Sequence, residues 1–167
     1  MTDLTKGSEL KGLFVFALPI FLGNLFEQLY NVTDTAIVGN FLGAEKLAAV
    51  GSSTQIVALT VSVSTGMSIG ASVIISQLYG AKRNQNMKEV VDTNLIFICL
   101  FSFFLMIFGL LYSPVFLEHL NVPAGLLSDA NAYLQTILLG LPFLFAYNTL
   151  ANVLRGLGDS KTPTFIL

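Results

Sequence analysis

"VVDTNLIFICLFSFFLMIFGLLY", residues 90–112, holds one charged side chain, Asp92, in its whole length. Seven residues between Phe97 and Phe108 are Phe or Leu. A helix spans the hydrocarbon of a bilayer with about 20 mostly apolar residues, and this stretch is long enough. With so few polar groups to hide, it is expected to be a transmembrane helix with a large lipid-facing surface.

Three more stretches reach that length: about 13–38, about 50–79 and about 131–154. After "RGLGDSKTPT" the chain resumes with "FIL", so a fifth helix is expected to begin near 163, with Thr162 as its N-cap and Pro163 at its first position. The chain is therefore expected to be the first part of a longer protein. The composition agrees with an all-α integral membrane protein: 54% of the residues are hydrophobic and 11% charged, against about 25% charged in soluble domains. The N-terminal apolar segment carries acids and is too long for a cleavable leader, so it is read as a span.

Charge is clustered between the spans. With the N-terminus inside the cell, Lys6, Lys11, Lys82, Arg83, Lys88, Arg155 and Lys161 are cytoplasmic and only Lys46 is outside. That asymmetry sets the expected orientation.

Several features exclude other classes. The one cysteine, Cys99, lies in an apolar run and reads as a small hydrophobe. The one histidine, His119, stands alone, and no nucleophile–base or metal-ligand constellation appears, so neither an enzyme nor a metal or cofactor is expected. Asn31-Val32-Thr33 fits a glycosylation sequon but lies within a span. "GLGDSKT" lacks the order of a phosphate-binding loop, and Gly156 or Gly158 is expected to end the fourth helix there. "GAKRNQNMK" is a loop obeying the orientation bias, not a nucleic-acid site. In the second span, Gly66 and Gly70 form a G-x-x-x-G and Ser68, Ser72 and Ser76 recur every fourth residue, a pattern expected to serve tight helix packing. Pro142, after Gly140, is expected to kink the fourth span.

The first span departs from the others. At about 100° per residue, Asn24, Glu27, Gln28, Asn31 and Asp34 fall within one sector of about 120°. Two acids cost about 5–7 kcal/mol to insert, and the fourteen Leu, Ile, Phe and Val residues of 13–38 return about 4–8 kcal/mol. The sum is near zero before Asn and Gln are counted, so the stripe must face a bundle interior or a wet cavity rather than lipid. Asn24 and Gln28 are suited to interhelical hydrogen bonds. Asp34 and Glu27 are candidates for exchanging a proton or holding a cation as their surroundings alternate between wet and dry.

Four collinear stretches resemble the MATE transporters, the multidrug and toxic compound extrusion family: "ALPIF" (Ala17–Phe21), "TDTAIVGNFLGAEKLAAVG" (Thr33–Gly51), "GASVIISQLYGAKR" (Gly70–Arg83) and "LRGLGDSKTPT" (Leu154–Thr164). The resemblance implies part of one six-helix lobe of a twelve-helix, two-lobe transporter in the plasma membrane. It implies export of small cationic or amphipathic compounds in exchange for protons or sodium ions by alternating access. Asp34 matches the family's first-helix acid, in a motif that here reads Val32-Thr33-Asp34-Thr35, and that acid is linked to proton coupling in part of the family. Glu27 rests on the physics of burial alone. Asn148 and Asn152, at i and i+4, are candidate cavity residues. The C-terminal lobe is missing from these 167 residues, so this segment alone is expected not to transport. Two other readings are a lipid-linked-precursor flippase of a related fold and a small four-helix membrane scaffold. Acids in the spans, without internal Lys or Arg, favour cationic cargo over the pyrophosphate of a flippase.

Overall fold

The computed structural model describes residues 9–166 and is all-helical over them. Helix α1 covers Glu9–Ile37, α2 Gly43–Gly80, α3 Asn84–His119, α4 Ala124–Leu139, α5 Leu141–Gly156 and α6 Lys161–Ile166. A π-helical segment, Val38–Leu42, joins α1 to α2, so the connection between the first two spans is wound rather than open. Gly43 closes that segment at φ 85°, a conformation glycine adopts without a Cβ penalty. Three helices are long and apolar enough to cross a membrane, and α4 with α5 makes a fourth crossing bent by 46°. The break falls at Gly140, and Pro142 lies in the first turn of α5. Proline there forgoes no backbone bond, because the first turn of a helix has no acceptors for its amides. The fourth span is thus bent at the Gly140–Pro142 step as expected, with the proline in the first turn of α5 rather than inside a continuous helix.

Helices α2 to α5 form the bundle, around a core of Ala49, Ile98, Leu117, Ala130, Leu134, Leu138, Leu141 and Phe145. In α3 the inward face includes Ser102, Gly109 and Ser113, while Leu100, Phe104, Ile107 and Leu111 are exposed. Small residues inward and large apolar ones outward is the arrangement a bilayer favours, since lipid solvates Leu and Phe as well as a core does.

Polar side chains stitch these helices together. The Ser53 hydroxyl donates to the Ala130 carbonyl (3.1 Å), tying α2 to α4. Between α3 and α4, Ser113 donates to Asn131 Oδ1 (2.7 Å) and accepts from Gln135 Nε2 (3.3 Å). Lys46 pairs with Asp129 where α2 and α4 begin. Both are largely exposed, so the pair contributes at most about 1 kcal/mol.

The two glycine patterns divide differently from expectation. Gly66 and Gly70 face open space, with nothing within 4 Å of an added Cβ. The packing face of α2 is the serine one, Ser64, Ser68 and Ser72, about 160° round the helix from Gly66. Ser76 is exposed. Close approach is provided instead by Gly156 on α5, where a Cβ would lie 2.9 Å from Ser72 Oγ and 3.0 Å from its carbonyl oxygen. Gly109 on α3 has the same role against Leu138, at 2.9 Å. The turn after α5 uses Gly158, at φ 87°.

Helix α6 is capped by Asp159, not by Thr162. Asp159 Oδ1 accepts from the backbone N–H groups of Lys161 and Thr162 (3.1 Å each), and Oδ2 accepts from the Thr162 hydroxyl (2.7 Å). A carboxylate outcompetes a hydroxyl as a cap, because its charge strengthens each bond.

Two expectations follow. Gly156→Val and Gly109→Val should each destabilise the bundle by about 1–3 kcal/mol through overpacking, whereas Gly66→Ala should cost less than about 0.5 kcal/mol; thermal unfolding in detergent checks the ranking, and equal losses at all three would contradict it. The Thr162 hydroxyl, then the two N–H groups, hold the Asp159 carboxyl below its usual range. A depressed acid stabilises above its unfolded value and ceases to as pH falls through the folded one. Protection of the Lys161 and Thr162 amides in hydrogen exchange should therefore persist down to about pH 4 and fade below it.

Candidate functional site

Helix α1 has the sequence of a span but almost none of the bundle's contacts. Among its described residues only Gly23 is buried. Two anchors hold it. At its C-terminal end it runs into the π-helical segment, which packs on α2. Nearer its start, α6 docks against it: the Thr164 hydroxyl donates to the Pro19 carbonyl (3.1 Å), and Gly23 lies against the Thr164 methyl group. Tyr147 on α5 donates to the Pro163 carbonyl (3.3 Å), so α6 bridges α1 and α5.

The polar stripe lies between these anchors. Asn24, Glu27, Gln28, Asn31 and Asp34 are all exposed, and none makes a side-chain hydrogen bond to the bundle among the described residues. Thr33 and Thr35 turn their hydroxyls back onto the carbonyls of Leu29 and Asn31 (2.8 Å each) and so need no outside partner. Of the two environments open to the stripe, the interior of this chain's own bundle is not the one it occupies.

Two half-buried tyrosines, Tyr133 on α4 and Tyr147 on α5, lie on the bent fourth crossing. Neither carboxylate of the stripe has an ion-pair partner among the described residues. Carboxylates so placed can bind a proton or a positively charged guest.

Asn148 and Asn152 serve a different surface. Asn148 Nδ2 donates to Ser64 Oγ (3.4 Å) and Asn152 Nδ2 to the Asn148 carbonyl (2.8 Å). Ser68 and Thr149 share a hydrogen bond at 3.3 Å, and Ser72 donates to the Asn152 carbonyl at 2.8 Å. These groups form a polar seam between α2 and α5, separate from the α1 stripe. Interhelical bonds of this kind contribute about 0.6 kcal/mol each on average. The sequence reading passed over Tyr133 and Tyr147. A signal existed only in their type, since an amphipathic phenol in a span needs somewhere wet for its hydroxyl.

A metal-ligand group of three or more His, Cys, Asp or Glu side chains does not occur among the described residues. A separate cavity of about 430 Å³ between α2, α3 and α4 is walled by Ile56, Leu59, Leu105, Phe108, Leu134 and Leu138 and is apolar.

Comparisons with known proteins agree on one group. The sequence profile of the MatE family matches residues 19–167. A probable multidrug resistance protein of Bacillus subtilis, YpnP, is 35% identical over 161 residues, which cover 96% of this chain and 36% of that protein. A second from the same organism, YoeA, is 31% identical over 98% of this chain and 35% of its own length. Among solved structures, MATE in the straight conformation superimposes with a TM-score of 0.90 at 24% identity, over 98% of this chain and 36% of that one. MATE in the bent conformation gives 0.87, also at 24% identity, over 95% and 35%. The chain therefore spans about a third of the length of the proteins it matches.

The stripe and the seam make opposite predictions for labelling. In a Cys99→Ser background, single cysteines at positions 27 and 34 should react with a water-soluble maleimide in membranes, because the thiolate needs water. Cysteines at 68 and 149, both buried, should stay unlabelled until the protein is denatured. Protection at 27 and 34 in the assembled protein would show that this face is covered.

Proposed function

The chain belongs to the MatE family, and we propose that it forms part of one lobe of a secondary antiporter that exports cationic or amphipathic compounds. Influx of protons or sodium ions drives the export, by alternating access. The observation that carries this reading is a pair of carboxylates, Glu27 and Asp34, on an apolar helix without a basic partner among the described residues. A cationic guest and a proton would compete for the same negative charge, and that competition is the simplest coupling an antiporter needs.

Asp34 is assigned the coupling role and Glu27 a supporting one. With the cleft open to the cytoplasm, an ionised Asp34 attracts the cation; protonation from the outer side cancels the attraction and releases it. Asn24, Gln28 and Asn31 offer neutral donors and acceptors along the same stripe. Asn148, together with the Asn152 carbonyl, acts here by holding α5 against α2. The N-terminus lies in the cytoplasm, in keeping with the placement of Lys and Arg. The matched relatives are about three times as long; the remaining length would supply the second lobe, and the present segment alone would not transport.

The test is Asp34→Asn in the full-length transporter, with efflux of a fluorescent cation followed in vesicles under separate proton and sodium gradients. Loss of at least about tenfold in gradient-driven rate is expected, equivalent to about 1.4 kcal/mol or more, with cation binding at high pH weakened in parallel. Unchanged efflux with unchanged gradient dependence would remove Asp34 from the mechanism.

A further inference from the structure

Arg155 sits in the last turn of α5. Its Nε is buried and has no hydrogen-bond partner, and no carboxylate lies within ion-pair distance of it among the described residues. The nearest acid in sequence, Asp159, is engaged by the cap of α6. Arg155 is half-buried, and its Nε has lost water without gaining a hydrogen-bond acceptor, a cost that a bound anion would offset.

The side chain lines a cleft of about 330 Å³ between α1, α2 and α5. Phe16 and Ile20 form one wall and Ile69 and Val73 the other, while Ser76 and Asn152 add polar groups near Arg155. The cleft lies at the end of the bundle where α1 begins and α2 and α5 finish. Lys82, Arg83, Lys88 and Lys161 are placed on the segments at that end. Ile69 and Val73 are half exposed, so the apolar wall continues outward along α2.

We propose that this cleft binds an anionic phospholipid of the adjacent leaflet, with its phosphate on Arg155 and an acyl chain along Ile69, Val73, Phe16 and Ile20. An arginine fork suits the phosphate that every phospholipid headgroup carries, since it makes two parallel charge-assisted bonds to it. The cleft is too small for a whole phospholipid and takes the headgroup end, leaving the tail on the exposed wall. A free phosphate would satisfy Arg155 but leave the apolar walls wet. The lipid would also fill the gap beside α1, which is otherwise held by α6 and the π-helical segment, and so fix its position against α2 and α5. This assignment does not depend on the transport reading.

Native mass spectrometry of the full-length protein in detergent, titrated with phosphatidylglycerol, phosphatidylcholine or inorganic phosphate, tests it. Phosphatidylglycerol should bind most tightly, phosphatidylcholine more weakly because its choline cancels the charge, and inorganic phosphate should not displace either. Arg155→Gln should weaken phosphatidylglycerol binding about tenfold, and Arg155→Lys by less. Ser76→Glu, at an exposed position that leaves the fold intact, should weaken it by placing a carboxylate in the cleft. The proposal is overturned if Ser76→Glu and every folded Arg155 variant bind phosphatidylglycerol as the parent does, if the two lipids bind equally, or if inorganic phosphate binds as tightly as the lipid.

Discussion

The close approach of α5 to α2 is the contact on which the rest of the molecule depends. Gly156 has no side chain to hold the helices apart, and Ser72 and its carbonyl oxygen occupy the space a Cβ would need. Along the same line, Ser64, Ser68 and Ser72 meet Asn148, Thr149 and the Asn152 carbonyl. In a bilayer there is no hydrophobic gain from bringing two apolar helices together, so association rests on packing distance and on hydrogen bonds that lipid cannot offer. Small and hydroxyl-bearing residues supply both.

With α2 and α5 fixed, the others find their places. Helix α4, broken from α5 at Gly140, turns toward α2 and is held by Ser53 and by the Lys46–Asp129 pair. Helix α3 closes the bundle with Gly109 against Leu138 and shows its phenylalanines to lipid. Helix α1 takes no part in this packing. Its attachments are two local ones, and it leaves the polar stripe as well as most of its apolar residues exposed. That separation is what leaves the two acids available, because a carboxylate already bonded to a neighbouring helix would have less need of a proton or a guest.

Much of this was legible before any coordinates. The spans were visible as apolar runs because crossing about 30 Å of hydrocarbon leaves little freedom in composition. The stripe was visible because five polar residues at helical spacing cannot fall on one side by accident of a lipid-facing design. The packing faces were less legible. Helix α2 carries Gly or Ser on nearly every side, so no single face stands out, and the G-x-x-x-G at Gly66 and Gly70 looked as good a seam as the serines. The cap of α6 was misplaced by three residues, since Thr162 and Asp159 both suit that role and only the geometry distinguishes them.

The sequence by itself determined that this chain is a set of membrane-crossing helices, and that α1 carries a polar stripe costly to turn toward lipid. Both follow from transfer free energy, a property of each residue and its period. The tertiary structure alone decided which surfaces meet. It put Asn148 and the Asn152 carbonyl into the α2–α5 seam, and left Arg155 lining a cleft without an ion-pair partner among the described residues. Insertion energetics state what a side chain must avoid. What it meets instead depends on helices distant in sequence, and that pairing is set by steric fit and hydrogen-bond geometry rather than by hydropathy.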